Sequence, residues 1–189
     1  MKEKVRCGWC LKEQIYIDYH DKEWGQPLHD DQKLFEFLVL EGFQAGLSWL
    51  TVLKKRDNFR KAFANFDAKK VAKFDAKKFE ALMQDAGIIR NRLKIEAAIN
   101  NAKLYLAIQK EFGSFDKYVW GFVNHKPIVN SRKSLKEVPA SVAISDAMSK
   151  DMGKRGFKFR GSTICYAFMQ AVGMVDDHID DCWKKSKKK

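Results

Sequence analysis

The sequence predicts an all-α fold, an orthogonal bundle of mostly short helices with a helix–hairpin–helix near its C-terminal end. Apolar residues recur at helical spacing along most of the chain, and side chains that cap helix N-termini precede many of these stretches. There is almost no alternation of apolar and polar residues of the kind that marks a half-buried strand, and no internal repeat. Short helices with brief connections favour steep packing angles rather than a four-helix coil.

The first third of the chain is predicted to form an arm followed by two helices. Residues 6–29 are rich in aromatic, cysteine and histidine side chains but show little periodicity, so we expect an ordered, irregular arm. Asp30 or Asp31 caps a helix whose apolar residues over 33–40 have helical spacing. A second helix, predicted over 48–63, turns its apolar residues inward and its lysines and arginines outward.

The middle of the chain is predicted to contain short helices around one long helix. Asp67 and Asp75 are the predicted caps of two short helices. The long helix runs over 90–112, where apolar residues three and four positions apart form a buried stripe. Ser114 caps a short aromatic helix, and residues 124–142, which hold two of the three prolines, are predicted to be an extended connection.

The predicted helix–hairpin–helix spans residues 145–172. Ser145 starts its first helix, residues 155–161 form a hairpin bounded by glycines, and Ser162 or Thr163 caps its second helix. Glycines let backbone amides approach a phosphate closely, and the following helix adds the positive end of its dipole. Any pair of antiparallel helices can use glycine in this way, so the signal is moderate. The residues that we expect to contact DNA here are Lys158, Arg160 and Gly161, with further charge from Lys154 and Arg155.

Length and charge suggest one nucleic-acid-binding domain. The 189 residues suffice for one domain, which we assign to 1–183, followed by a disordered lysine-rich tail over 184–189. The formal net charge of +12 is not confined to that tail, and a basic body suits a polyanion such as DNA. The tail alone is better explained as a solvated end.

The cysteines and the N-terminus predict a reducing compartment. No apolar run approaches the roughly 18 residues that a membrane helix needs, and the N-terminus has no apolar secretory segment. Four cysteines in a chain without an export signal are typical of thiols or metal ligands rather than disulfides. We therefore expect a cytoplasmic protein.

The segment Leu40–Trp49 breaks the rules that its neighbours obey. It places an acid, Glu41, and two glycines, Gly42 and Gly46, in an apolar helical run, although each glycine costs a helix about 1 kcal/mol relative to alanine. Violations of this kind cluster at functional sites. We expect Gly46 to end one helix and Trp49 to open the next, so that Glu41 and Trp49 face one pocket.

The two ends of the chain carry a possible metal site. His178 and Cys182 lie four residues apart, close enough to offer both side chains to one tetrahedral ion. A zinc ion with two further ligands from the N-terminal arm would be structural, because the protein would fill all four positions. Spacing alone favours Cys7 with Cys10, and Cys7 with His20 is the rival pair. The alternative to a metal site is a set of unliganded buried cysteines and surface histidines.

Aromatic side chains near the N-terminus suggest a pocket for an unpaired base. Aromatic faces stack on bases, a carboxylate accepts from exocyclic amines, and enzymes that act on a base flip it into such a pocket. Alternatively these rings pack the arm onto the bundle, which we favour for Trp24. The residues of the predicted pocket are Trp9, Tyr16, Tyr19, Glu41 and Trp49.

Taken together, these motifs resemble those of the bacterial 3-methyladenine DNA glycosylase I family. The resemblance extends over nearly the whole chain, and five motifs in the expected order are highly specific. The motifs are Arg6-Cys7-Gly8-Trp9, Tyr16-x-x-Tyr19-His20-Asp21-x-Glu23-Trp24-Gly25, Leu40-Glu41-x-x-Gln44-Ala45-Gly46-Leu47-Ser48-Trp49, Gly156-Phe157-Lys158-Phe159 and His178-x-x-x-Cys182.

The resemblance implies a helix–hairpin–helix enzyme that hydrolyses the bond between 3-methyladenine and its sugar in alkylated double-stranded DNA. We expect it to act as a monomer, although the sequence does not determine the oligomeric state. It implies one structural zinc ion and leaves Cys10 free. Glu41 and Tyr19 would bind the excised base, Trp49 would stack on it, and Trp9 with Tyr16 would complete the pocket. The implied zinc ligands are Cys7, His20, His178 and Cys182. The turn implied to fill the gap in the duplex holds Gln44, Gly46 and Leu47.

The base is already cationic and a good leaving group, so Glu41 would stabilise charge and need not act as a general base. The roles of Asp176 and Asp177 stay open. One alternative is a zinc-stabilised DNA-binding helical module without activity, which gives no reason for a carboxylate among aromatic rings. Another is a glycosylase with a broader range of alkylated bases.

Overall fold

The protein, described here by a computed structural model over residues 4–186, is mostly helical. Among these residues there are ten α-helices, three short 3-10 turns and one pair of two-residue strands. The helices are α1 (Gln14–Lys22), α2 (Asp31–Gln44), α3 (Trp49–Lys54), α4 (Arg56–Ala62), α5 (Ala68–Val71), α6 (Ala76–Gln84), α7 (Arg92–Phe112), α8 (Phe115–Gly121), α9 (Ala143–Lys154) and α10 (Ser162–Ala171). The strands β1 (Ile128–Val129) and β2 (Val175–Asp176) pair in parallel. No helix within 4–186 is both long and apolar enough to cross a bilayer.

The helix α2 forms the centre of the core. Every residue from Leu34 to Phe43 is buried, and α2 packs against α3, α7, α8 and α10. A helix that is buried on all sides should be apolar on all sides. Glu36 and Glu41 are the acidic exceptions among these ten residues.

Most of the predicted helix starts are confirmed by capping side chains. Each of these side chains accepts a hydrogen bond from a backbone N–H of the first turn, which satisfies one of the free donors there. The confirmed caps are Asp30, Asp67, Asp75 and Ser114, and Ser48 caps the helix that Trp49 opens.

Three predicted boundaries are wrong. The helix expected over 48–63 is broken at Lys55, which separates α3 from α4. The helix α9 begins at Ala143, because Ser145 is its third residue and accepts a bond from Val142 N. Gly161, and not Ser162 or Thr163, occupies the cap position of α10.

The arm is more regular than predicted. Within 6–29 the nine residues of α1 form a helix, which places Tyr16, Tyr19 and His20 on one face. The periodicity was hidden because aromatic side chains and a histidine, rather than aliphatic ones, form the inward face, while Ile15 is exposed. This helix brings the arm's ring side chains against the bundle.

The connection over 124–142 is extended in part, and its β1 strand lies beside β2, which leads into His178. The C-terminal residues continue this packing: Ser186 N donates to Asp176 Oδ2 at 2.8 Å. The rest of the predicted tail, 187–189, lies outside the described residues. The domain boundary at 183 stays a prediction.

Candidate functional site

Glu41 is a buried acid without a partner. It is 4% exposed, and burial raises the pKa of its carboxyl to about 8. Within residues 4–186 no hydrogen bond or ion pair reaches this carboxylate. The carboxyl borders a cavity and is not enclosed in the core, and a buried acid with a raised pKa at a cavity points to a ligand that supplies its partners.

A cavity of about 160 Å³ opens beside Glu41. One wall is the turn over 44–47, and the other is a face of α10 formed by Thr163, Ile164 and Ala167. The sequence pattern did not identify this second wall. Spacing of one and four residues places these three side chains together on α10. The sequence of α10 alone does not show which other segment this face contacts.

The predicted aromatic residues lie together behind Glu41. The rings of Tyr19 and Trp49 lie 5.3 Å apart, and the rings of Trp9 and Tyr16 lie 4.8 Å apart. Burial raises the pKa of both tyrosines, and the charge of Glu41 raises both further, which is evidence that they are close to the acid. None of these four aromatic side chains lines the cavity itself, which Glu41 shares with the turn over 44–47 and with α10.

A second unsatisfied group lies in this cluster. Trp49 Nε1 is buried and has no hydrogen-bond partner among the described residues. The Trp49 ring is stacked on Phe37 at 6.3 Å with an interplanar angle of 18°. An indole N–H normally finds an acceptor when it is buried. The cluster therefore presents an unused donor as well as an unused acceptor.

The turn after α2 projects from the surface. Gly46 has a φ of +76°, and a Cβ at this position would meet nothing within 4 Å. Leu47 is 43% exposed, and its N–H donates to Gln44 O at 2.6 Å. Ser48 then caps α3. An exposed leucine at the tip of a tight turn suits insertion into another molecule.

The hairpin between α9 and α10 offers fewer free charges than predicted. Lys158 and Gly161 are exposed, and the Arg160 guanidinium lies against Gly153 with a long bond to Ser149 Oγ, 3.4 Å. Arg155 is engaged elsewhere, because it forms ion pairs with Glu111 and Asp151. The charge of Arg155 is therefore part of a local ion-pair network, and its contribution to DNA binding stays a prediction.

Four buried side chains from the two ends of the chain form one cluster that could hold a metal ion. One nitrogen or sulfur atom from each lies within 4.8 Å of the others. The members are Cys7, His20, His178 and Cys182. Cys10 lies outside it and donates from Sγ to Cys7 O at 3.1 Å. The cluster therefore agrees with the set implied by the resemblance and not with the pair that spacing alone favours.

The spacing within this cluster fits a tetrahedral ion. The S···N separations are 3.6 Å for Cys7 with His178 and 3.5 Å for Cys182 with either histidine. Zinc bonds of ~2.3 Å to sulfur and ~2.0 Å to nitrogen at a tetrahedral angle would separate the ligand atoms by about 3.5 Å. The interaction of the two neighbouring sulfurs lowers the pKa of Cys182 and raises that of Cys7. A cation would let both ionise.

Outer contacts already orient both imidazoles. His20 Nδ1 donates to Asp21 Oδ1 at 2.8 Å, and His178 Nε2 donates to Trp24 O at 3.3 Å. The remaining ring nitrogens then face the sulfurs as lone pairs. Asp21 is held in turn by Arg6, and such carboxylate–histidine pairs are typical of metal sites.

The aspartates before His178 are fully occupied. Asp177 accepts from four side chains, and hydrogen bonds from Tyr166, Gln170 and Asn130 lower its pKa despite burial. Asp176 Oδ1 accepts from His178 N at 3.0 Å. Both groups therefore hold the segment that carries His178, and neither faces the cavity beside Glu41.

The fold and the site define a mostly helical protein in which a buried acid without a partner in the described part of the chain lines a small pocket. The chain belongs to the methyladenine glycosylase family, whose sequence model matches residues 9–185.

Individual relatives cover nearly the whole chain. The DNA-3-methyladenine glycosylase of Haemophilus influenzae is 57% identical over 178 residues, which are 94% of this chain and 96% of that protein. A crystal structure of 3-methyladenine DNA glycosylase I is 49% identical with a TM-score of 0.94, covering 96% of this chain and 100% of the other. A variant of such an enzyme, solved in complex with 3-methyladenine, is 38% identical with a TM-score of 0.93, covering 97% of this chain and 99% of the other.

Proposed function

We propose that this chain is a DNA-3-methyladenine glycosylase I, which excises 3-methyladenine from alkylated double-stranded DNA in base excision repair. The observation that carries the proposal is the unpartnered Glu41 carboxylate, buried beside a cavity and a cluster of aromatic rings in a member of the methyladenine glycosylase family. We expect the protein to act as a cytoplasmic monomer.

The pocket suits a base that carries positive charge. Methylation at N3 leaves the nucleobase cationic, and a carboxylate among aromatic rings favours a cation and accepts from its amine. In the free protein the carboxyl of Glu41, with its pKa of about 8, is largely protonated at neutral pH. A bound cationic base stabilises the carboxylate and lowers that pKa. Tyr19 and Trp49 supply hydrogen-bonding and stacking groups.

The chemical step is hydrolysis of the glycosidic bond. The bond between the sugar C1′ and the base N9 breaks, and its electron pair neutralises the methylated base, which leaves. Water adds to C1′ and releases a proton. Glu41 accepts from the amine of the base and holds the base in place, and it need not remove a proton, because the leaving group is already activated. Positive charge moves from the base to the sugar as the bond breaks, so binding the cationic base does not by itself accelerate the step.

DNA would be held by two surface segments. The turn with Gln44, Gly46 and Leu47 enters the space that the flipped base leaves, and the exposed Leu47 supports this role. Lys158, Arg160 and Gly161 hold the phosphate backbone as part of a helix–hairpin–helix. Contacts of this kind position the duplex without reading its sequence.

A test of activity separates the enzyme from a DNA-binding module. Incubation with methylated duplex DNA, followed by chromatography of the released bases, should yield 3-methyladenine. Glu41→Gln should lower kcat/KM roughly 10- to 100-fold, because one charge-assisted hydrogen bond is lost, while duplex affinity is kept. Glu80→Gln, at an exposed acid, is the matched control. A wild-type protein that binds DNA but releases no base would support the binding module.

We further propose that the cluster of Cys7, His20, His178 and Cys182 holds one structural zinc ion. The tetrahedral spacing and the absence of a free ligand position support a structural role, in which the ion ties the arm to the C-terminal segment. Cys182→Ser should lower both zinc content and melting temperature, whereas Cys10→Ser, the matched control, should retain one zinc. A Cys182→Ser protein with one tightly bound zinc would overturn this assignment.

A further inference from the structure

The turn over 44–47 is held by a lysine from α7. Lys94 Nζ donates to Phe43 O at 2.9 Å and to Ala45 O at 2.5 Å. These carbonyls belong to the end of α2, where free C=O groups and the negative end of the helix dipole favour a cation. Lys94 is only 8% exposed, and burial lowers its pKa. A lysine this deep is unusual unless it is paired.

The hairpin is held by the same helix. Asn101 Oδ1 accepts from Lys158 N, and Asn101 Nδ2 donates to Lys158 O, both at 2.9 Å. Asn100 Nδ2 adds a bond to Gly156 O at 3.1 Å. Asn101 is 5% exposed, so the main chain at Lys158 is fixed by a buried pair of bonds while its charged end reaches the surface.

The two attachments lie on one face of a long helix. Lys94 and Asn101 are seven residues apart, which is about two turns or 10 Å along the axis. The helix α7 has 21 residues and lies against α2 and α5 within the core. The hairpin also meets α2, the helix that leads into the turn, because a Cβ on Gly42 would lie 3.4 Å from Phe159 Cβ.

We infer that Lys94 and Asn101 are positioning residues, through which α7 fixes the distance between the turn that enters the duplex and the hairpin that holds the backbone. The inference rests on the proposed function. The flipped base can reach Glu41 only if the turn enters the duplex at a fixed distance from the point where the hairpin holds the phosphate backbone. A displacement of about 1 Å in either segment would misplace the base, and such errors cost up to 100-fold in rate.

Lys94 does not serve as a phosphate contact in this arrangement. Its Nζ is buried and used by two carbonyls, so little of its charge is available to DNA. The distinction is measurable, because removal of a phosphate contact reduces the slope of log affinity against log salt by about one. Removal of a positioning contact leaves that slope unchanged.

The experiment compares Lys94→Met with Lys103→Met, an exposed lysine of the same helix. We expect Lys94→Met to lower kcat for release of 3-methyladenine from methylated duplex at least about 10-fold, while affinity for free 3-methyladenine and the salt slope stay at wild-type values. Lys94→Arg, which can also donate to both carbonyls, should recover part of that loss. Asn101→Asp, which loses the donor to Lys158 O, should mainly raise KM for the duplex.

Several outcomes would overturn the inference. These are an unchanged kcat in Lys94→Met, a salt slope reduced by about one, or a parallel loss of free-base affinity. If Lys94→Met fails to fold, a Lys94→Arg protein no more active than a correctly folded Lys94→Gln protein would also overturn it. A wild-type protein that releases no 3-methyladenine would instead refute the proposed function.

Discussion

Glu36 and Glu41 lie five residues apart on the same buried helix, but among residues 4–186 Glu36 forms ion pairs and Glu41 does not. Glu36 is 6% exposed and Glu41 is 4% exposed. The Glu36 carboxylate accepts from Arg56 at 2.5 Å and from Arg60 at 2.8 Å. No side chain within the described residues pairs with Glu41. One buried acid of α2 is therefore used for structural ion pairs, and the other has a carboxyl group that is free to bind a ligand.

The paired end joins the arm to the bundle. Arg56 also donates to Glu23 of the arm at 2.7 Å, and its guanidinium lies 5.0 Å from the Phe37 ring centre. The ion pairs at Glu36 thus fix Arg56 against Phe37, and Phe37 packs on Trp49. The difference teaches that burial alone does not mark a functional acid, whereas burial without a partner does.

The largest expected effect is at the paired end. Arg56→Met should lower the free energy of unfolding by up to about 3–5 kcal/mol, because it removes the buried cation shared by Glu36 and Glu23. It leaves Glu36 with only the more exposed Arg60. Urea denaturation followed by circular dichroism measures this change. The folded fraction should still release 3-methyladenine at low temperature, since Glu41 is untouched.

Arg92→Met is the control for this variant. Arg92 forms ion pairs with Glu80 and Glu96, but all three side chains are more than half exposed, so the loss should stay below about 1 kcal/mol. Equal stability losses for Arg56→Met and Arg92→Met would mean that the buried ion pairs of Glu36 stabilise the fold no more than exposed ion pairs do.

The sequence predicted the unpaired end better than the paired end. Glu41 stood out because an acid and two glycines interrupt an apolar helix, and the turn at Gly46 and the cap at Ser48 follow from local chemistry. Glu36 gave no such signal, since its partners Arg56 and Arg60 look like ordinary residues of an exposed helical face. Arg56 is buried because the helix breaks at Lys55, and the spacing of apolar residues did not predict that break.

Contacts between distant segments explain the other missed residues. Thr163, Ile164 and Ala167 wall the cavity only because α10 packs against α2. Lys94 meets the turn from a helix about 50 positions further along, and sequence spacing does not give that distance. Cys10 was preferred over His20 because of its short spacing from Cys7. In the structure, α1 instead places His20 in the cluster. The resemblance to a family implied the correct cluster, because it carries three-dimensional information that spacing lacks.

A smaller effect should appear in the dependence of stability on pH at the unpaired end. The pKa of Glu41 rises from 4.5 to about 8 on folding, so the folded state holds its proton where the unfolded state has lost it. The stability that this proton contributes is complete below about pH 4.5, and it is lost as the pH rises through 8. The loss amounts to at most about 1.4 kcal/mol for each pH unit within that interval.

Glu41→Gln should remove this dependence, because an amide does not ionise in this range. The free energy of unfolding, measured from pH 5 to pH 8, should therefore fall more steeply in the wild-type protein than in the variant. Glu36→Gln, which keeps the shape but weakens the pairs with Arg56 and Arg60, should lower stability at every pH and keep the wild-type slope. Parallel curves for wild type and Glu41→Gln would mean that the Glu41 carboxyl titrates alike in both states. The contrast between the two acids of α2 would then be one of geometry alone, because the absence of a partner at Glu41 would have no electrostatic consequence in the free protein.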